Sequence, residues 1–281
     1  MSMLDRVREC AIFAPRDFRR FVVDDRRIGW VRAELIVELA DFGDAFLFES
    51  DEIVLHRHIV GRQARTEIMQ NVARELRDRA LIDGWRDELY PVAENFGDPV
   101  LFDIERAAVP FFGFCGYGVH INGWVNTADG PHMWIGRRSL DKPTGPGLLD
   151  QMVAGGQPSG MALMENVVKE CREEAGIDTE LAGAARSVGA ISYLVDREEG
   201  LRQDVLFTYD LEVPPGVMPV NEDGEVAEFM LWPMEKVIEE VSREGVFKFN
   251  SGLVVIDFLI RHGFVDPETP GYTEIVSGLH R

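Results

Sequence analysis

Three glutamates, Glu170, Glu173 and Glu174, form the most chemically suggestive group in the sequence. Their spacing of i, i+3 and i+4 places all three on one face of a helix. Carboxylate oxygens are hard ligands that suit Mg²⁺ or Mn²⁺, and these ions bind few protein carboxylates while they also contact substrate phosphates. An ordinary solvated acidic face would have the same spacing, since exposed like charges cost only about 0.2–0.5 kcal/mol per pair. The spacing alone therefore leaves both interpretations open.

A glycine-rich segment, residues 155–160, comes just before these glutamates. Glycine lets backbone amides approach a phosphate closely. We therefore expect a loop in which Gly155 and Gly156 bind substrate. The helix that follows is predicted over residues 163–175 and ends at Gly176, a normal position for glycine after a last helical turn.

Residues 155–177 resemble the Nudix box, also known from MutT-like proteins. The box reads Gly, five residues, Glu, seven residues, then Arg-Glu-apolar-x-Glu-Glu-x-Gly-apolar. The matching residues are Gly155, Glu170, Cys171, Glu173, Glu174, Gly176 and Ile177. Two positions depart, because Met161 replaces the first glutamate and Lys169 replaces the arginine. Lysine keeps the charge of arginine but not its bidentate geometry, so we expect a less rigid Glu173, with Glu165 as a candidate substitute for the missing glutamate.

A narrower resemblance covers most of the chain. It is to a Nudix subgroup in which the Nudix domain follows an N-terminal domain related to thiamin pyrophosphokinase-associated proteins. The segments that carry it are residues 105–108, 116–123, 146–156, 223–226 and 247–250. This resemblance implies a pyrophosphatase that converts thiamin diphosphate, or its oxidised derivatives, to the monophosphate and phosphate.

The expected fold class is α/β, a Nudix α/β/α sandwich with a mixed sheet, preceded by a smaller α+β domain. The patterning supports this, since strands alternate with two helices in the second half of the chain. We divide the chain into residues 1–110 and 111–281. Helices are predicted at 4–13, 15–21, 65–79, 163–175 and 251–262. Strands are predicted at 28–31, 45–49, 53–56, 119–125, 133–136, 188–195, 204–213 and 228–232.

The box resemblance assigns Glu170, Glu173 and Glu174 as metal ligands, with Mg²⁺ as the expected cofactor and Mn²⁺ as the alternative. Glu173 and Glu174 are also catalytic candidates. The general base is either Glu174 or a carboxylate in the 221–228 loop, with Glu225 preferred over Glu222. An ordinary acidic turn explains that loop equally well.

Cationic side chains that could bind the phosphates are Arg106, Lys142 and Lys248, with Arg137 and Arg138 as weaker candidates. Most cations in so acidic a chain form ordinary surface pairs. Aromatic residues that could stack on a substrate ring are Trp30, Phe111, Phe112, Phe114, Tyr117 and Trp124, although aromatics in strands more often belong to the core.

Composition limits the partners of this 281-residue chain. The formal net charge is −20 and the sequence pI is about 4.7, which disfavours nucleic acid and anionic membranes. No apolar stretch reaches the length of a membrane span, and the N-terminal residues carry charges rather than a targeting pattern. We therefore expect a cytoplasmic protein with a small diphosphate as its partner. A homodimer is one option for the oligomeric state, which the sequence leaves open.

Two alternatives remain at this point. One keeps the enzyme but changes the substrate to a nucleoside diphosphate derivative, such as ADP-ribose or a dinucleotide. The other, motivated by Met161 and Lys169, is a non-catalytic ligand-binding protein on a Nudix scaffold. The box cannot distinguish them, because it concerns only the diphosphate.

Overall fold

The structure is a computed structural model that describes residues 2–142 and 144–280. Its first part contains a four-stranded sheet in the order β2-β1-β4-β3 and a separate β5-β6 ribbon. The strands are β1 (Phe18–Val23), β2 (Arg26–Arg32), β3 (Phe46–Phe48), β4 (Glu52–Leu55), β5 (Leu89–Val92) and β6 (Phe102–Glu105). The helices are α1 (Met3–Glu9), α2 (Ile36–Leu39), α3 (Arg62–Asp78) and α4 (Val109–Phe112).

Helix α3 supplies the main apolar surface of this first part. Its buried residues Met69, Val72, Ala73 and Leu76 recur at helical spacing, so one stripe faces the core. That core extends along the chain from Phe21 to Phe114. The predicted helix 65–79 is therefore confirmed, although it begins three residues earlier.

The second part is built on a seven-stranded mixed sheet in the order β11-β12-β7-β8-β13. Strand β12 runs parallel to β7, and the other neighbours along this order are antiparallel. The strands are β7 (Cys115–Thr127), β8 (Gly130–Arg138), β9 (Leu149–Asp150), β10 (Val153–Gly156), β11 (Arg186–Arg197), β12 (Gly200–Glu212) and β13 (Val226–Pro233). The helices are α5 (Leu163–Ala175), α6 (Thr179–Ala182), α7 (Met234–Val241), α8 (Phe249–Arg261) and α9 (Tyr272–Gly278).

The sheet is forked between β7 and β8. These strands form a hairpin at residues 124–133, and then they diverge. Strand β10 pairs with the free half of β7, while β9 pairs with the free half of β8. The fork leaves a cleft at one end of the sheet, and the functional site described below lies there.

Helices cover both faces of the forked sheet. Helix α5 packs on one face through Val167, Cys171 and Ala175. Helix α8 packs on the opposite face, where ten consecutive residues, 250–259, are buried. This arrangement is an α/β/α sandwich with a mixed sheet, so the predicted fold class is confirmed.

Helix α1 packs on the second part rather than on the first. Met3, Val7 and Cys10 are buried with the residues of α8 and α9. Ser2 caps the helix, and a capping box joins it to Asp5. The chain therefore begins in the C-terminal core before it enters the N-terminal one; the division at residue 110 stays a prediction.

The predicted helix over residues 15–21 is wrong. A single 3-10 turn at Pro15–Asp17 leads directly into β1, which pairs with β2 on one side and with β4 on the other. Aromatic Phe18 and Phe21 and β-branched Val22 favour a strand once partners exist on both sides. Helices α7 and α9 were not predicted. No helix of the described residues combines the length and apolar character needed to cross a membrane.

Candidate active site

Strand β10 and helix α5 form the unit that carries the site. Helix α5 runs over Leu163–Ala175 as predicted, and Gly176 ends it in the left-handed conformation with φ 61°. At its start, the Glu165 carboxylate accepts a weak hydrogen bond from Ala162 N–H at 3.4 Å. Glu165 therefore caps the helix and contacts the last residue of the preceding loop; its role as a substitute for the missing box glutamate stays a prediction.

The segment predicted as a glycine-rich substrate loop is partly a strand, because Gly155 and Gly156 lie in β10 and pair with Val119 and Gly118 of β7. A Cβ on Gly155 would overlap the side chain of Glu170. Glycine is required here because β10 and α5 approach closely, and this brings Glu170 directly against the strand. Their assignment as substrate-binding residues stays a prediction.

Lys169 bridges two of the three predicted metal ligands. Its ammonium lies 2.9 Å from Glu170 Oε1 and 2.9 Å from Glu173 Oε2. The Glu170 side chain is 12% exposed and that of Glu173 is 50% exposed. Burial and the neighbouring charge of Glu173 raise the pKa of Glu170, although Lys169 acts in the opposite direction. Lysine thus contacts both carboxylates by single bonds, without the fork that arginine would offer.

Glu174 is the most buried carboxylate of the three. Its Oε2 accepts a hydrogen bond from Ala154 N–H of β10 at 2.9 Å. Burial, together with the charges of Glu170 and Asp150, raises the pKa of Glu174 to about 8, even though the Ala154 amide lowers it. Too little positive charge surrounds this carboxyl group to favour its ionised form. A bound cation would supply that charge.

The fork in the sheet forms the second wall of the cleft. The cleft is lined by Gly136, Arg138, Lys142, Asp150, Gln151, Met152, Glu174, Glu225 and Val226. Lys142 forms an ion pair with Glu225 across it, and Arg138 Nη1 lies 2.9 Å from Asp150 Oδ2. The fold therefore brings together three residues predicted from distant segments: Lys142, Glu174 and Glu225.

The cations of the cleft influence one another. Burial lowers the pKa of Lys142. Burial also lowers the pKa of Lys248 to about 8, assisted by the positive charges of Arg138, Arg202 and Arg106 and opposed by Asp150. The Lys248 ammonium forms no hydrogen bond or ion pair with any residue in 2–142 or 144–280. A lysine without a partner among so many charges is available to bind an anion.

Arg106 approaches the site from the other side of β10. Its guanidinium lies next to Gly156, contacts Glu88 at 2.9 Å and stands over the ring of Tyr90 at 5.6 Å. Both weaker candidates are already paired: Arg137 pairs with Glu228 at 2.6 Å, and Arg138 pairs with Asp150 within the cleft.

Several residues of the site escaped the sequence reasoning. Asp150 lies close to the positive charges of Lys248 and Arg138. Burial alone would raise the pKa of Asp150, but these two charges have the larger effect and lower it. Gln151 contacts buried His120 through its amide group. Tyr90 of β5 places its hydroxyl over Gly156. No local pattern marks these residues, because their roles arise from contacts between distant segments.

Of the aromatic candidates, Phe111, Phe112 and Phe114 belong to the core of the first part. Tyr117 is different, because it forms a cluster with Phe96 and Phe207. The Phe96 ring centroid lies 5.0 Å from that of Tyr117 and 4.6 Å from that of Phe207. Phe96 is 47% exposed. We call these three residues the aromatic cluster; it adjoins the end of β10, where Gln157 N–H donates to Tyr117 O at 2.8 Å.

The donor set fits a hard divalent cation. Glu174 is a buried and Glu170 a largely buried carboxylate, both with raised pKa values, and Glu173 lies on the same helix face. Within the described ranges, no three acidic, cysteine or histidine side chains already converge as the ligands of one ion. Lys169 supplies the local positive charge instead, at Glu170 and Glu173.

The forked mixed sheet, the two covering helices and the glutamates of α5 define the class of this protein: the chain belongs to the Nudix hydrolase family. It is 42% identical over 272 residues to Nudix hydrolase 20, chloroplastic, of Arabidopsis thaliana, covering 94% of this chain and 73% of that protein. It is 43% identical over 265 residues to Nudix hydrolase 24, chloroplastic, of the same plant, with the same two coverages. The chain is therefore a diphosphate hydrolase of the Nudix type, and enzymes of this family generally use divalent metal ions.

Residues 2–115 match a second family, described as a domain of unknown function (DUF4743). Among solved structures, DR0079 from Deinococcus radiodurans aligns at a TM-score of 0.46 with 20% identity, over 61% of this chain and 98% of that one. The family assignment depends on the two plant relatives, whose similarity extends over both parts of the chain.

Proposed function

We propose that this protein is a Mg²⁺-dependent pyrophosphatase that acts on a small organic diphosphate, and that thiamin diphosphate or an oxidised derivative is its substrate. One observation carries the proposal. Glu174 of α5 and the Lys142–Glu225 ion pair line one cleft at the fork of the sheet, together with Arg138 and Asp150.

Glu170, Glu173 and Glu174 are the residues that would hold the ion. When bound, the ion supplies positive charge to the phosphoryl oxygens and makes water more acidic. Lys142, Lys248 and Arg106 would bind the diphosphate oxygens: Lys142 lines the cleft, Lys248 lies next to Leu149 of β9, and Arg106 lies beside Gly156 of β10. Cations positioned in this way stabilise the charge that develops on the phosphate in the transition state.

A carboxylate must accept the proton of the attacking water. The water oxygen bonds to phosphorus, the bridging P–O bond breaks, and the proton passes to the base. Glu225 suits this role because it lines the same cleft as Glu174 while remaining partly exposed. In the free protein Lys142 holds Glu225, and a diphosphate that binds Lys142 would release this carboxylate for proton transfer.

The aromatic cluster of Phe96, Tyr117 and Phe207 supports a substrate with a flat ring. Aromatic faces attract organic cations, and a thiazolium ring is both flat and positively charged. The thiamin assignment otherwise depends on the resemblance to the two-domain subgroup.

A panel of diphosphates tests the proposal. We would measure release of monophosphate and phosphate from thiamin diphosphate, oxidised thiamin diphosphate, ADP-ribose, NADH and a nucleoside triphosphate, with and without Mg²⁺. Preference for the thiamin compounds, with turnover abolished in Glu173→Gln, supports the proposal. Preference for ADP-ribose or NADH would replace thiamin by a nucleoside diphosphate derivative.

A second experiment tests the aromatic cluster. Phe96→Ala should raise KM for the preferred ring-bearing substrate by about tenfold or more, as expected from the loss of a stacking or cation–π contact. Phe48→Ala is the matched control, because Phe48 is also a partly exposed phenylalanine of the first part, at 40%, and lies outside the cluster. Equal KM values for the two variants would exclude the cluster as a ring-binding site.

The cytoplasmic location and the absence of nucleic-acid partners stay predictions from composition.

A further inference from the structure

The loop between β10 and α5, residues 157–162, is attached to the N-terminal part of the chain. Ser159 Oγ donates a hydrogen bond to Asp103 Oδ1 at 2.5 Å, and it accepts one from Arg62 Nη2 at 2.9 Å. Ser159 N–H donates to Leu89 O of β5 at 2.8 Å. Both the backbone and the side chain of Ser159 are thus engaged by the other part of the protein.

The residues that hold Ser159 are themselves rigidly placed. Arg62 Nε and Nη2 contact the two carboxylate oxygens of Asp103 at 2.7 and 2.9 Å, in a bidentate pair. Asp103 is only 8% exposed, and its backbone N–H donates to the Thr66 hydroxyl at 2.9 Å. Asp103 of β6 therefore presents a preformed acceptor to Ser159, and Arg62 of α3 presents a preformed donor.

A second contact from the N-terminal part reaches the end of β10. The buried Tyr90 places its hydroxyl directly over Gly156, where no Cβ would fit. Inside the loop, Asn166 Nδ2 donates to Gly156 O at 2.8 Å, and Gln157 Nε2 donates to Met161 O at 2.6 Å. The loop is thus held from within by neutral amides and from outside by the Arg62–Asp103 pair.

Both ends of this loop carry parts of the active site. On the β10 side, the Ala154 amide donates to Glu174, and Gly155 packs against Glu170. On the α5 side, the helix carries both glutamates. Position 161 holds a methionine, which offers no charged group to fasten the loop.

We infer that the N-terminal domain is a positioning element of the active site. Arg62 and Asp103, acting through Ser159, fix the loop and so hold β10 and the glutamates of α5 in their working arrangement. These are positioning residues, because they touch neither the cleft nor its carboxylates. The inference rests on the proposed function wherever kcat is measured, whereas hydrogen exchange tests it without any substrate.

Ser159→Ala is the decisive variant, because it removes one hydroxyl from a partly exposed loop and leaves both cores intact. Small misplacements of catalytic groups cost up to about a hundredfold in rate. We expect kcat to fall by about tenfold or more, KM to change by less than about threefold, and the Mg²⁺ concentration for half-maximal activity to rise. Ser159→Thr keeps the hydroxyl and should restore most of kcat.

The matched pair Asp103→Asn and Asp24→Asn separates positioning from stability. Asp24 accepts two hydrogen bonds, both at 2.8 Å, from Nη2 of Arg65 on the same helix α3, and it does not contact the loop. Both variants remove one carboxylate from an arginine pair of α3. We expect the fall in kcat for Asp103→Asn and a wild-type kcat for Asp24→Asn.

Hydrogen exchange of the amides of residues 157–162 gives a readout that needs no substrate. Exchange should accelerate in Ser159→Ala and Asp103→Asn but not in Asp24→Asn. Wild-type kcat and unchanged exchange in a folded Ser159→Ala would overturn the inference, as would an equal loss of kcat in Asp24→Asn. A wild-type protein that hydrolyses none of the diphosphates in the panel would instead refute the proposed function, and exchange would then decide the inference alone.

Discussion

At the scale of single residues, Lys142 interacts with two carboxylates of the cleft, Glu225 and Glu174. It forms an ion pair with Glu225, and its charge lowers the pKa of Glu174, which burial otherwise raises. We proposed the same ammonium as a ligand of the diphosphate, in which case the substrate and Glu225 would compete for it. The chemistry of the cleft therefore depends on a small number of exchangeable charge contacts.

Glu225→Gln tests the assignment of the general base. If Glu225 accepts the proton of the attacking water, kcat should fall by about 10²–10⁴-fold, the usual contribution of general base catalysis. Steady-state turnover at saturating substrate measures this. The control is Glu228→Gln in the strand β13 that follows Glu225, a carboxylate that pairs with Arg137 and does not line the cleft. A loss below about tenfold for Glu225→Gln would move the role to Glu174.

His120 gives a prediction about stability and pH. Burial and the charge of Lys248 lower its pKa from 6.5 to about 4, and it is only 4% exposed. Below pH 6.5 the unfolded chain binds a proton that the folded protein does not bind until about pH 4. Stability is therefore lost as the pH falls through this window, by about 2 kcal/mol at pH 5 from this group.

Denaturant unfolding of wild type and His120→Gln at pH 7 and pH 5 checks this. The variant should lose less stability between the two pH values than the wild type does. His58→Gln, at an exposed histidine, should behave like the wild type. A pH dependence in His120→Gln as steep as that of the wild type would contradict the assignment.

Only some residues of the candidate site could be predicted from the sequence. The three glutamates of α5 were predicted to share one helix face because their spacing lies within one helix. Lys142 and Lys248 were named only as cations that could bind phosphate, and Glu225 as a candidate base, and these roles stay predictions. Asp103 and Asp150 were not predictable. Their partners come from other segments of the chain, and no local pattern records such contacts.

At the scale of elements, β10 is the unexpected feature of the site. Glycines at positions 155 and 156 suggested a loop, yet both pair with β7 as part of the sheet. Their lack of side chains serves the close approach of Glu170 and Tyr90, not conformational freedom. Helix α5 was predicted to the residue because apolar periodicity and Gly176 both define it. Strand β1 was misassigned although Phe18, Phe21 and Val22 favour a strand, because the strand forms only where it pairs with β2 and β4.

Gly155→Ala tests the role of β10. The new Cβ would overlap the Glu170 side chain, so this carboxylate must shift. We expect kcat to fall by at least about tenfold, as for other small displacements of catalytic groups. Gly43→Ala is the control, because nothing lies within 4 Å of its Cβ. Wild-type turnover in a folded Gly155→Ala protein would show that close packing at Glu170 is dispensable.

At the scale of the whole molecule, the two parts of the chain are interlaced. Helix α1 leaves the first part and packs on α8 and α9, while β5, β6 and α3 of the first part contact the loop before α5. Sequence reasoning found both parts and their fold classes. The packing of α1 on α8 and α9 could not be predicted from the sequence, because it depends on which exposed apolar surface each short helix covers.

Val7→Ala tests the packing of α1. Val7 is 1% exposed within the C-terminal core, so truncation should lower the free energy of unfolding by about 1–3 kcal/mol. Chemical denaturation measures this. Ile12→Ala is the control, since Ile12 is 62% exposed and should change stability by less than about 0.5 kcal/mol. Equal effects of the two changes would contradict the packing of α1 on α8 and α9.

We expect the carboxylates of α5 to make this protein a metal-dependent diphosphate hydrolase. The most direct test follows the ³¹P NMR signals of the best diphosphate in the panel during turnover at saturating Mg²⁺, with wild type and Glu174→Gln compared. Glu174→Gln keeps the shape of the side chain and replaces its charge, so the fold should survive. We predict steady conversion to monophosphate and phosphate by the wild type and a rate at least about a hundredfold lower for the variant. Equal rates in the two proteins, or equal rates with and without Mg²⁺, would contradict the claim.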